Sequence, residues 1–212
     1  MRIVVSSGNL RDVKHAEIDR HLQMLARFLE KVASSGGEAP GLTLILRSAS
    51  SIPAQALISM TEELAHAGAS AKLVLARLEP EEELRQLFTS LCRLAPREPA
   101  KELIRWARNP RLLDAHEQVT LGASMCWSGD AMRRPADRRN TLTLFDEEAP
   151  QTARLGRLAF EALWAASTPV PERRLLGPAT ARPSGAYQPM QDATVAVSSL
   201  RPMLQGWPLV RH

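Results

Sequence analysis

The spacing of apolar residues changes several times along the chain, and each change marks an element. Over residues 14–34, Ile18, Leu22, Leu25, Leu29 and Val32 recur at intervals of four and three, the repeat of an amphipathic helix. Gly36-Gly37 and Pro40-Gly41 end it. Upstream, residues 3–6 form a short β-branched run that predicts a strand before the turn Ser7-Gly8-Asn9. Residues 42–46 (LTLIL) are a nearly unbroken apolar run, suited to a strand covered on both faces. Ser51 is placed to cap a second helix with Pro53 in its first turn, Leu57, Met60 and Leu64 as inner stripe, and Gly68 as stop. Residues 72–75 begin another strand. Pro80 opens a helix whose first turn carries Glu81, Glu82 and Glu83 against the positive end of the dipole, with Leu84, Leu87, Phe88 and Leu91 facing inward.

The order βαβαβα predicts an α/β sheet with right-handed crossovers. After it, residues 103–107, 118–123 and 141–145 read as closely spaced strands. A last helix over residues 150–166 has Leu155, Leu158, Ala159, Ala162 and Leu163 as its expected inner stripe, with Phe160 and Trp164 beside it. The fold class expected is therefore α/β: a mixed, largely parallel sheet sandwiched by helices, filling one domain over residues 1–168. Residues 169–212 hold seven of the fifteen prolines and read as a C-terminal arm. Within that arm residues 193–200 could form a short strand, and the apolar end around Trp207 suggests docking on the body or on a protein partner.

Charge changes this picture little. The formal net charge is +4, but the arm alone carries +3, so the body is nearly neutral and lacks the broad basic footprint of a duplex binder. No apolar run approaches the roughly 18 residues of a membrane span, and the N-terminus has no secretory pattern, so a cytoplasmic protein is expected. Cys92 and Cys126 have no metal-ligand spacing around them and read as small buried hydrophobes. Neither a metal nor a cofactor is expected.

Candidate chemistry concentrates in residues 114–140. Ser128 or Asp130 could cap a short helical turn over residues 131–134, stopped by Pro135. Free amides at such a helix start, together with Arg133, Arg134 and Asn140, would form a pocket for phosphate or carboxylate. The plainer alternative pairs Asp130 and Asp137 with the arginines on a solvated loop. His116 beside Glu117, with Asp114 or Asp130, is the candidate general base, although no nucleophile stands at a recognisable spacing. His15 and His21 are expected on the solvent side of the first helix, and His66 near the end of the second.

These residues carry a resemblance. Asp114, the strand VTLGASMCW, a polar loop, the Asn140-led strand NTLTLF and the helix ending AFEALW resemble one half of the phospholipase D-like superfamily. There, strands surround H-x-K-x-x-x-x-D and a second strand ends in G-S-x-N. The stretch before Asp114, RWARNPRLLD, contains neither histidine nor lysine, and His116 follows Asp114. The resemblance therefore implies a half-unit without the chemistry, a binding or assembly module that forms a homodimer. Three readings follow: that module with an anion pocket, a phosphodiester hydrolase using His116 with Asp114 or Asp130, and a nucleic-acid partner acting through the arginine loop and basic tail.

Overall fold

Three short strands, each followed within two residues by an arginine, build the parallel centre of the sheet: β1 (Gly41–Leu46), β2 (Ser70–Leu75) and β3 (Ile104–Trp106). The computed structural model describes residues 10–35, 41–134 and 143–176. The expected strand at residues 3–6, Asn140 and the arm beyond residue 176 lie outside the described residues. β1 and β2 pair in register from Gly41↔Ser70 to Leu46↔Leu75, and β3 joins β2 through Leu73↔Ile104. Chain direction then reverses. β4 (His116–Leu121) lies antiparallel to β1, followed outward by β5 (Met125–Ala131) and β6 (Leu144–Asp146), while β7 (Thr168–Pro169) closes the β3 edge. The result is a mixed seven-stranded sheet in the order β6-β5-β4-β1-β2-β3-β7, covered by helices on both faces.

Strand alternation gives the sheet two unlike faces. Leu42, Leu44, Leu46, Leu73, Leu75, Val119, Leu121 and Trp127 point to the first face and are buried. Against them pack α1 (Leu10–Ser35), α2 (Ile52–Ser59), α3 (Thr61–His66) and α4 (Glu81–Leu94), with α5 (Ala100–Leu103) and α7 (Glu172–Leu176) alongside. The second face presents Ile45, Val74 and Ala76 but also Gln118, Thr120 and Arg105; α6 (Pro150–Ala166) covers it, joined by Leu112, Leu113 and Ala115 from the short 3-10 turn (Pro110–Asp114) before β4. Gly156 makes this approach feasible, because a Cβ there would lie 1.7 Å from Gln118 Nε2 and 2.8 Å from Thr120 Oγ1. Arg157 ties the same helix to the β4–β5 turn by donating to the Gly122 carbonyl at 2.7 Å.

Four local expectations are corrected. The apolar stripe of the last helix is turned outward: Ala153, Gly156, Phe160 and Leu163 are buried, whereas Leu155, Leu158, Ala159 and Ala162 face solvent. The aromatic bulk of Phe160 and Trp164 outweighs the leucines in choosing the inner side, and Gly156 lets that side sit close to the sheet. The first helix is rotated in the same way, with His21, Met24, Leu25 and Phe28 innermost. His21 is 1% exposed and is not a solvent-facing residue. The second helix divides at Met60, which adopts φ −108° and ψ 19°, into α2 and α3. Leu103 ends α5 rather than starting a strand.

Candidate functional site

The direction of the sheet switches between β1 and β4, so the chain diverges at the carboxyl end of β1. The carboxyl ends of the parallel strands are where α/β proteins commonly bind ligands. The residues there are Arg47, Ser48, Ser50 and Ser51 after β1, Arg77 after β2, Arg108 after β3, and His116 and Glu117 at the start of β4. Backbone bonds hold the strand ends level: Arg77 N donates to Arg47 O at 2.8 Å, and Ala107 N to Leu75 O at 2.8 Å.

Arg47 and Glu117 form the anchor of this edge. Their side chains are 8% and 3% exposed and meet at 2.9 Å, Nη2 to Oε2. The other carboxylate oxygen, Oε1, accepts from the Arg47 amide and from Ser51 Oγ, both at 2.9 Å. Ser51 does stand at the N-cap of α2, with extended backbone, but its hydroxyl serves Glu117 and makes no capping bond. A buried carboxylate survives only when its lone pairs are met, and three donors meet them here. Glu117 therefore occupies this corner as a resident anion, neutralised by Arg47.

The arginines at the other two strand ends differ. Arg77 and Arg108 are exposed and make no ion pair among the described residues, and the Arg108 guanidinium lies 5.7 Å from the Trp106 ring centre. Trp106 is itself fixed by its indole N–H, which donates to Ala76 O at 3.2 Å. Each arginine lies two residues past the last registered pair of the neighbouring strands, Leu75↔Trp106. Their chemistry suits an oxyanion, with guanidinium forks matched to phosphate or carboxylate.

The sequence-predicted residues divide between this edge and its flank. His116 is exposed, and its Nδ1 lies 2.8 Å from the Gly129 carbonyl. A carbonyl only accepts, so Nδ1 carries the proton in the neutral ring and Nε2 keeps the lone pair. Asp114 and Arg133 pair with each other at 2.8 Å and are 64% and 69% exposed. Asp130 is buried and pairs with Arg134 at 3.1 Å. Neither aspartate is bonded to the His116 ring among the described residues, so the histidine–aspartate arrangement is not assembled.

The helical turn expected over residues 131–134 is also absent. β5 runs through Ser128, Gly129 and Asp130 to Ala131 and is followed by a turn, so no helix start gathers amides for an anion. Gly129 allows the strand to continue past its neighbours: a Cβ there would lie 2.7 Å from Trp127 Cη2 and 3.4 Å from Glu117 Cβ. Ser128 is half-buried on the α6 side of the sheet, across from Gln118.

Sequence reasoning missed Arg47, Arg77 and Arg108. Their signal was present as a repeated pattern, since each parallel strand closes on an apolar residue followed by arginine: Leu46-Arg47, Ala76-Arg77, Ala107-Arg108. Cys126 is buried beneath α6, and burial pushes the half-buried Cys92 thiol above its usual value, away from thiolate chemistry. Among the described residues no group of three or more His, Cys, Asp or Glu is placed to hold a metal, and no helix is long and apolar enough to cross a membrane. No protein-family model matches the chain, and no curated protein matches it in sequence.

Proposed function

We propose that this chain is a non-catalytic, phospholipase D-like α/β module that binds a phosphate-bearing ligand at the carboxyl edge of its sheet. The observation that carries the reading is the pair of exposed, unneutralised arginines, Arg77 and Arg108, beside the buried Arg47–Glu117 anchor at the switch point. Arg133 and Arg134, by contrast, each face a carboxylate already. They are secondary contacts.

The missing charge supports the non-catalytic half of the reading. With Asp114 at the aspartate of H-x-K-x-x-x-x-D, the histidine and lysine positions fall on Ala107 and Asn109. Ala107 is buried, and the Asn109 side chain accepts from the Arg111 amide at 3.1 Å. Neither supplies a nucleophile or a charge to a phosphoryl group, and electrostatic stabilisation is the largest part of that chemistry.

A second reading, phosphoester hydrolysis, draws on one observation: the ring of the exposed His116 is oriented by a backbone carbonyl at Nδ1. The same experiment addresses both. Thermal unfolding is followed with inorganic phosphate, a phosphomonoester and a phosphodiester, on wild type, Arg77→Ala/Arg108→Ala and Arg133→Ala/Arg134→Ala. A ligand at 100 times its dissociation constant stabilises by about 2.7 kcal/mol. The expected result is a shift lost in the first variant and largely kept in the second, with no turnover of either ester. Turnover that disappears in His116→Ala would establish the hydrolase instead.

A further inference from the structure

The outward side of α6 carries two of the four large apolar side chains exposed among the described residues. Leu155 and Leu158 are 67% and 51% exposed, and Ala159, Ala162, Ala165 and Ala166 continue the same strip along a 17-residue helix. Leu144 on β6, 55% exposed, stands on the same side of the sheet, because it pairs with Ser128 and Ser128 with Gln118, which touches α6. A helix that already buries Phe160 and Leu163 beneath it has no structural use for a second apolar side.

We infer that the outer face of α6 is the contact through which two copies of this chain associate, packed antiparallel about a two-fold axis near Leu158. The strip fits its own copy. Reversing the helix about that point sets Leu158 against Leu158 and Ala159 of the partner subunit, and Leu155 against the partner's Ala162. On one flank, Arg154 and Glu161 lie about one helical turn either side of the axis, so each Arg154 meets the partner's Glu161. Both side chains are exposed and make no ion pair among the described residues. Leucines and alanines in the seam let the two backbones approach closely, while the charged flank fixes the register.

The association is weak. A 17-residue helix is about 25 Å long, and one such face is at the low end of stable interface size. Dimerisation is therefore expected to depend on concentration. The proposal is independent of the anion reading, since α6 and the strand-end arginines are different surfaces.

Sedimentation equilibrium of the full chain, up to about 1 mM, tests it on five proteins: wild type, Leu158→Glu, Arg154→Glu, Glu161→Arg, and the double exchange Arg154→Glu/Glu161→Arg. Wild type is expected to dimerise reversibly, and Leu158→Glu, which sets two carboxylates face to face, to remain monomeric. Each single exchange weakens the dimer about tenfold and the double exchange restores it. All changed residues are exposed, so circular dichroism should show an unchanged fold; should Leu158→Glu misfold, the charge exchanges carry the test. A wild-type monomer throughout, a dimer insensitive to Leu158→Glu, or single exchanges without effect would each overturn the proposal.

Discussion

The two faces of the sheet solve the same problem with unequal means. One is covered by α1 to α4 and closes over a continuous core running from Met24 to Leu175. The other is covered by α6 and the short 3-10 turn over Pro110–Asp114, over a small cluster of Ile45, Val74, Ala76, Ala107, Met132, Phe160 and Leu163, with polar side chains lying under the helix. Stability resides in the first face. The second face trades burial for surface: α6 leaves its leucines outside, and Gln118 and Thr120 are packed where a two-sided core would place aliphatics. The strand-end arginines stand on the rim where the two faces meet, and the rigid face holds them in place.

The largest effect is expected at that rim. Glu117→Ala leaves Arg47 buried without its carboxylate and should cost about 3–5 kcal/mol in denaturant unfolding. A loss below about 1 kcal/mol would mean the pair does not anchor the edge. The comparison of faces is broken most simply by two leucines. Leu87→Ala, on α4 and fully buried, should cost about 2–5 kcal/mol, while Leu158→Ala, on the outer side of α6, should stay within about 0.5 kcal/mol in the monomer. Equal costs would abolish the distinction.

The first face also carries a pH dependence. His21 packs edge-on against Trp127, ring centres 4.8 Å apart, and 5.0 Å from Phe145, and neither ring nitrogen has a hydrogen-bond partner among the described residues. Burial lowers its pKa from 6.5 to about 4. The unfolded chain therefore binds a proton first as pH falls. The native state is undisturbed above pH 6.5, loses stability as pH drops toward 4, and forfeits about 3 kcal/mol over that window. Urea unfolding at pH 7 and pH 4.5 should show the fall in wild type, and His21→Leu should lack the part due to this ring. The smallest effect is expected on the flank: Arg133→Ala breaks an exposed pair and should change stability by no more than about 1 kcal/mol.

Much of this architecture was legible in the sequence. The β1, β2 and α4 patterns and the bounds of α6 are direct readings of period and punctuation. What was not legible is which side of a helix turns inward when two sides are apolar. On α1 the residues 21, 25 and 28 repeat as regularly as 22, 25 and 29, and a histidine disguised the first set. On α6 the choice depended on Gly156 meeting Gln118, a contact between residues 38 positions apart. The helical turn expected over residues 131–134 was misjudged for a similar reason. A Ser-Gly-Asp triplet reads as a turn, yet here Gly129 continues a strand past Trp127. Asp114, Asp130, Arg133 and Arg134 were recognised as a polar group, but they pair among themselves, and the exposed cations Arg77 and Arg108 come from two separate strand ends.

The most direct test is a nuclear magnetic resonance titration of the isotopically labelled chain with inorganic phosphate. Saturable shifts concentrated at the amides of Arg77 and Arg108 and their neighbours, and absent in Arg77→Ala/Arg108→Ala, are the predicted result. Shifts confined to the Arg133–Arg134 turn, or none at any strand end, would contradict an anion site at the carboxyl edge of this sheet.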